Sequence, residues 1–178
     1  MITLLDGAFG TEIWKLAEQQ GLDRVSTWRY NIEHPQLVEK IHAAYSCAGS
    51  QIIYTNTFTA NRPVVEAEGF DPKEVIKAGV ELARKGSEIG ADQAVEDRLA
   101  ALPEGVPGRP APGRKQIALD IGPLFKALEP FGDITEEECR DIYSEMCQAG
   151  AAAGADLQLR RHTDQDHRHL LFPVHNHL

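Results

Sequence analysis

The sequence predicts an α/β fold of parallel βα units, and three observations carry that reading. Short apolar runs of strand length alternate with longer segments whose apolar residues recur at helical spacing. Glycines stand where those helical patterns stop. The segments between strands are long enough for the crossover helices that parallel pairing with right-handed connections requires.

The first apolar run is Ile2–Leu5, ending at Asp6-Gly7. A helix over Glu12–Gln20 follows, with Ile13, Leu16 and Ala17 on one face and Gly21 as its stop. A loop then carries Trp28, Tyr30 and Asn31. Pro35 occupies a first-turn position, tolerated because that N–H has no helical partner anyway. Leu37, Ile41, Tyr45 and Ala48 share one stripe of that helix, and Gly49 ends it. The second strand, Gln51–Thr55, runs into NTFTAN. A turn at Gly69-Phe70-Asp71-Pro72 leads to a helix over Lys73–Ile89 that turns Ile76, Val80 and Ala83 inward.

Residues 91–114 hold four of the ten prolines and read as a surface excursion. The third strand is Gln116–Ile121, ending in Gly122-Pro123. Thr135 and Glu138 form a capping box for a helix through Ala153, whose Cys139, Ile142, Tyr143 and Met146 share a face. Gly154-Ala155-Asp156-Leu157 opens a fourth strand. Four such units fit either a small open sheet or half of a (β/α)8 barrel, and pattern alone does not separate them. No G-x-G-x-x-G follows the first strand, which argues against a dinucleotide site.

Composition narrows the function classes. The chain has 178 residues, 42% hydrophobic and 25% charged, a balance suited to one globular domain. Its 18 Lys+Arg against 27 Asp+Glu give a net charge of −9, which disfavours nucleic acid and anionic membranes as partners. No apolar run approaches the roughly 18 residues that span a bilayer, and MITLLDGAFGTEI lacks a basic n-region. Cys47, Cys139 and Cys147 are too scattered for a disulfide framework. These features point to a cytoplasmic protein.

Three strands are followed directly by polar residues or glycine: Asp6-Gly7, Asn56-Thr57 and Gly122-Pro123. In parallel α/β folds these strand ends form the ligand-facing rim. A carboxylate there holds a cationic group, and a following glycine lets backbone N–H groups approach an anion. Together they describe an amino-acid pocket. The alternative is that Asp6 caps the next helix and the glycines serve tight turns.

LLDGAFGT (4–11), HPQLVEKIHAAYSCAGSQIIYTNTFTAN (34–61) and ALDIGP (118–123) resemble the homocysteine-binding methyltransferase domain, continued by GDITEEECRDIYSEMCQAGAAAGADL (132–157). That family includes the N-terminal domain of cobalamin-dependent methionine synthase and betaine–homocysteine methyltransferase. The resemblance implies the N-terminal half of a (β/α)8 TIM barrel over residues 1–157, with its site at the C-terminal rim. It implies methyl transfer to homocysteine thiolate, giving methionine. Methylcobalamin, methylated sulfonium compounds and betaine all stand as donors. Asp6 matches the family carboxylate for the homocysteine amino group, and Gly7 the neighbouring backbone contact to its carboxylate. Asn56 and Thr57 match the rim motif after the second strand, as substrate contacts or braces.

The resemblance also implies a zinc ion that deprotonates the bound thiol. The family's three cysteine ligands lie in the second half of the barrel, which residues 1–157 do not include. Cys139 and Cys147, eight residues apart on one helix, are separated by about 12 Å, too far to share a metal. No metal ligand and no catalytic residue is therefore assigned, and little methyl transfer is expected of this chain alone. The family's glutamate after the fourth strand is also missing, since the sequence reads GADLQLRRHTDQ with Arg160 and Arg161 near that place.

Residues 158–178 form a His-rich tail without family character, holding five of the seven histidines. It reads as a metal-binding segment through His167-x-His169 and His175-x-His177, or as a premature end or shifted frame. A half barrel leaves sheet edges open, so a second copy or another polypeptide is expected to complete it. The competing class is a non-catalytic, amino-acid-binding remnant.

Overall fold

The computed structural model describes residues 3–100, 114–160 and 170–173. Its helices are α1 (Phe9–Gln19), α2 (Tyr30–Glu33), α3 (Pro35–Cys47), α4 (Arg62–Ala67), α5 (Pro72–Ala100) and α6 (Glu136–Ala152). Its strands are β1 (Ile52–Tyr54), β2 (Gln116–Ile121), β3 (Leu157–Arg160) and β4 (Leu170–Pro173). They form one sheet in the order β1-β2-β3-β4. β1 pairs β2 in parallel with Tyr54 opposite Ala118, and β2 pairs β3 in parallel with Ala118 opposite Leu157. No described helix is long and apolar enough to cross a membrane.

The period of two in the strands sorts side chains between two environments. Ile53, Ile117, Leu119 and Ile121 face the helices and pack with Val65, Val75, Ile76, Val80, Ala83 and Met146. Ile52, Tyr54, Ala118 and Leu157 make a separate cluster on the other face. Ile53, Ile117 and Leu119 are fully buried, and each such side chain contributes roughly 1.5–3 kcal/mol. The base of the sheet is clamped by charge. Asp156 Oδ2 accepts the Ile117 N–H at 2.8 Å and the Arg84 guanidinium at 2.7 Å, and Arg84 also donates to the carbonyls of Lys115 and Gly154.

Helices α3 and α5 touch backbone to backbone. A Cβ on Gly90 would fall 2.1 Å from the Ala43 carbonyl oxygen, so only glycine permits that spacing. Under the same contact lies His42, fully buried, 4.8 Å ring to ring from Phe9, with neither nitrogen bonded among the described residues. Burial pushes its imidazole down to about 3, so it stays neutral. The capping box of α6 is present: Thr135 Oγ1 accepts the Glu138 N–H, and the Glu138 carboxylate accepts the Thr135 N–H.

Four expectations need correction. The first apolar run makes one parallel bridge, Leu5 to Ile52, rather than a ladder, with Leu4 and Leu5 55% and 40% exposed. Trp28, Tyr30 and Asn31 lie in a 3-10 turn (Thr27–Arg29) and in α2, because their buried side chains fold this short segment onto the core. α5 continues ten residues past position 90, since ADQAVEDRLA contains neither glycine nor proline and the four prolines begin at Pro103. Finally, the tail supplies β4, antiparallel to β3 with Phe172 opposite Gln158. The rest of the proline-rich segment, 101–113, and all five tail histidines lie outside the described residues.

Candidate substrate-binding site

Asp6 leaves the Leu5 bridge at the end of β1. Its N–H donates to the Ile52 carbonyl at 3.1 Å, and its Oδ2 accepts the Tyr54 N–H at 2.9 Å. The side chain thus continues the ladder one step after the backbone has turned away. Gly7 comes next, against the ring of Tyr45: a Cβ there would sit 2.9 Å from both Cε1 and Oη. No other residue fits without moving that ring. The Tyr45 phenol is held above its ordinary range by burial, then by the charges of Glu12 and Asp6, so it remains protonated.

The segment after β1 is stitched to β2 by hydroxyls. Thr57 Oγ1 donates its one hydrogen to the Asp120 carbonyl at 2.8 Å. The 2.6 Å contact between Thr55 Oγ1 and Thr57 Oγ1 must therefore run from Thr55 to Thr57. Thr55 Oγ1 in turn accepts the Asp120 N–H at 3.1 Å. Asn56 spends its amide on the other side, with Nδ2 donating to the Thr27 carbonyl at 2.6 Å and to Asn31 Oδ1 at 2.9 Å. Asn31 returns a bond to the Asn56 carbonyl at 2.9 Å. Buried polar groups satisfied in this way fix the backbone they hold.

A cavity of about 530 Å³ opens at these strand ends. Its walls are the first turn of α1 (Phe9, Gly10, Thr11), the Ser26-Thr27 turn, Thr55, Asn56, Phe58 and Asp120. Another cavity, of about 330 Å³, lies on the helical side between α4, α5 and α6 beside the Arg62–Glu145 ion pair, away from the rim. Of the residues expected at the site, Asn56 lines the rim cavity. Asp6 and Gly7 lead the chain into its wall at Ala8, and Thr57, fully buried, braces it from behind.

Asp120 is the residue that sequence reasoning passed over. It is the sole carboxylate in the cavity lining among the described residues, only 6% exposed, and on the strand face it shares with Ala118. The signal was present: one charged side chain in the otherwise apolar run Ile117–Ile121.

The cysteines do not fit a zinc centre. Cys47 ends α3, with its Sγ 3.8 Å from Asp97 Oδ2, and Cys139 and Cys147 lie on α6, packed against separate clusters. None lines the rim cavity. No group of three His, Cys, Asp or Glu side chains among the described residues is placed to hold a metal.

Parallel strands joined by crossover helices, with a polar-lipped cavity at their C-terminal ends, are the working arrangement of β/α-barrel enzymes. Residues 3–161 match the sequence model of homocysteine S-methyltransferase, and the chain belongs to that family. It is 37% identical over 168 residues to the homocysteine S-methyltransferase of Escherichia coli K12, covering 88% of this chain and 48% of that protein. It is 29% identical over 167 residues to the homocysteine S-methyltransferase YbgG of Bacillus subtilis 168, with the same coverages. The crystal structure of the homocysteine methyltransferase MmuM from Escherichia coli, in its metallated form, superposes with a TM-score of 0.62 at 26% identity, covering 89% of this chain and 53% of that one. The oxidized form gives 0.61 at 29% identity, with 88% and 51% covered. The chain spans about half the length of the curated relatives it matches.

Proposed function

We propose that this chain binds homocysteine at the rim cavity, as the substrate-holding half of an S-methyltransferase barrel. The observation that carries the reading is convergence. Residues far apart in the chain (8–11, 55–59 and 120) meet around one cavity of about 530 Å³, with Asp6 tied to Tyr54 just before its wall begins, a volume within the usual range of ligand sites. Asp6 holds the α-ammonium group by charge, and the backbone after it, at Gly7, receives the α-carboxylate. Asn56 and Thr57 keep the rim in register rather than leaving it to relax around the ligand.

The described donor set supplies no zinc site, so no thiolate-forming step is assigned to these residues. A second polypeptide pairing with the sheet edge would bring further strands and the metal-binding cysteines, which a second copy of this chain, with the same three cysteines, does not supply. Without that complement the chain acts as an amino-acid-binding module.

Titration calorimetry on the 178-residue chain tests the reading. Saturable binding of L-homocysteine near one equivalent, weakened about ten-fold or more by Asp6→Asn, is the expected result. No saturable heat with L-homocysteine at millimolar concentration defeats it.

A further inference from the structure

We infer that Asp120 is a second carboxylate for the substrate's ammonium group, and hence a specificity-determining residue that selects primary amines over neutral or anionic analogues. The inference rests on the proposed homocysteine site and names a contact within it.

Position is the first argument. β2 alternates between the helical core and the opposite face, and Asp120 falls on the latter, one strand across from Asn56 and facing the rim cavity. Rigidity is the second. Its N–H and its carbonyl are held by Thr55 and Thr57, so the Cα is fixed on both sides before any ligand arrives. A pre-positioned carboxylate binds a cation without first paying to be ordered.

Charge is the third argument. A carboxylate only 6% exposed stands in the wall of this cavity, where water screens its charge little. Asp120 already takes part in other polar or electrostatic contacts, and an ammonium group joins or displaces them. Charge-assisted N–H···O bonds in such a poorly solvated wall are among the stronger contacts available to a small ligand.

The test uses the full chain as wild type, Asp120→Asn, Asp120→Ser and Asp6→Asn. The probes are L-homocysteine, 4-sulfanylbutanoate (the same molecule without its ammonium group), 3-sulfanylpropylammonium (without its carboxylate) and n-propylammonium. Binding is read by calorimetry, with a thermal melt for each variant. Asp120→Asn is expected to weaken L-homocysteine and 3-sulfanylpropylammonium about ten-fold or more while leaving 4-sulfanylbutanoate unchanged. If the two amines without a carboxylate bind and depend on Asp120, but L-homocysteine binds no better than they do, Asp120 stands and the homocysteine reading falls.

Four outcomes overturn the inference. Both Asp120 variants bind every probe as wild type does; both lose all probes equally; both lack a native thermal transition, which makes the carboxylate a folding element; or wild type binds no amine. Loss of L-homocysteine with Asp6→Asn alone belongs to the first of these and leaves the homocysteine reading intact.

Discussion

The C-terminal ends of β1 and β2 and the pairing of β3 with β4 show opposite ways of finishing a strand. At the first, Thr55 and Thr57 are tied to the backbone of Asp120, and Asn56 to Asn31 and the Thr27 carbonyl, in two sets of hydrogen bonds that are nearly all buried. At the second, the neighbour runs antiparallel and comes from the tail, where the barrel pattern calls for another parallel unit. Polar stitching makes the first region specific to one backbone arrangement. Main-chain pairing makes the second tolerant, because any extended segment can supply it.

The largest effect should come from cutting the stitches. Asn56→Leu removes both donors from Nδ2 and leaves the Thr27 carbonyl and Asn31 Oδ1 buried without them. A loss of about 3–5 kcal/mol in urea unfolding is expected, and a loss below about 1 kcal/mol would mean that the network is dispensable.

Acid should act on the same side of the molecule. The folded His42 titrates at about 3 against 6.5 for the ordinary imidazole, so between those values the unfolded chain binds the proton and the folded chain does not. The contribution of His42 is complete above about pH 6.5 and falls by about 1.4 kcal/mol per pH unit on the way down to about 3. Unfolding free energies measured from pH 7 to pH 4 should show that slope, and His42→Leu should flatten it.

Smaller changes sharpen the contrast. Thr135→Ala dismantles the capping box of α6, which leads into β3. About 1 kcal/mol is expected in chemical denaturation, with no change in L-homocysteine affinity. Phe172→Pro removes one β4 N–H opposite Gln158. If the β3–β4 pairing is as tolerant as its construction suggests, the unfolding free energy falls by less than about 1 kcal/mol. A collapse of folding would put β4 on the same footing as the stitched rim.

Much of this was legible in the sequence because local signals and packing agreed. Ile117, Leu119 and Ile121 alternate as a buried strand must, and Thr135 with Glu138 announces the start of α6. Other features were hidden for physical reasons. The stretch 91–100 inherits a helix that its neighbouring prolines do not reach. α2 is a single turn held by the burial of Tyr30 and Asn31, and so short an element has no periodicity to read. Asp6 and Gly7 stood out by type, but that Oδ2 of Asp6 takes the Tyr54 N–H depends on contacts 48 residues apart. Asp120 was concealed by the strand around it, since a motif read for its glycine and proline draws the eye past the acid before them.

The reversed direction of β4 has a practical consequence. Pro173 lies opposite Leu157, at the foot of the sheet, while Asp120 and the cavity lie at its head. A fluorophore attached at position 173 itself would therefore sit at the floor of the molecule, at the opposite end of the sheet from its open mouth.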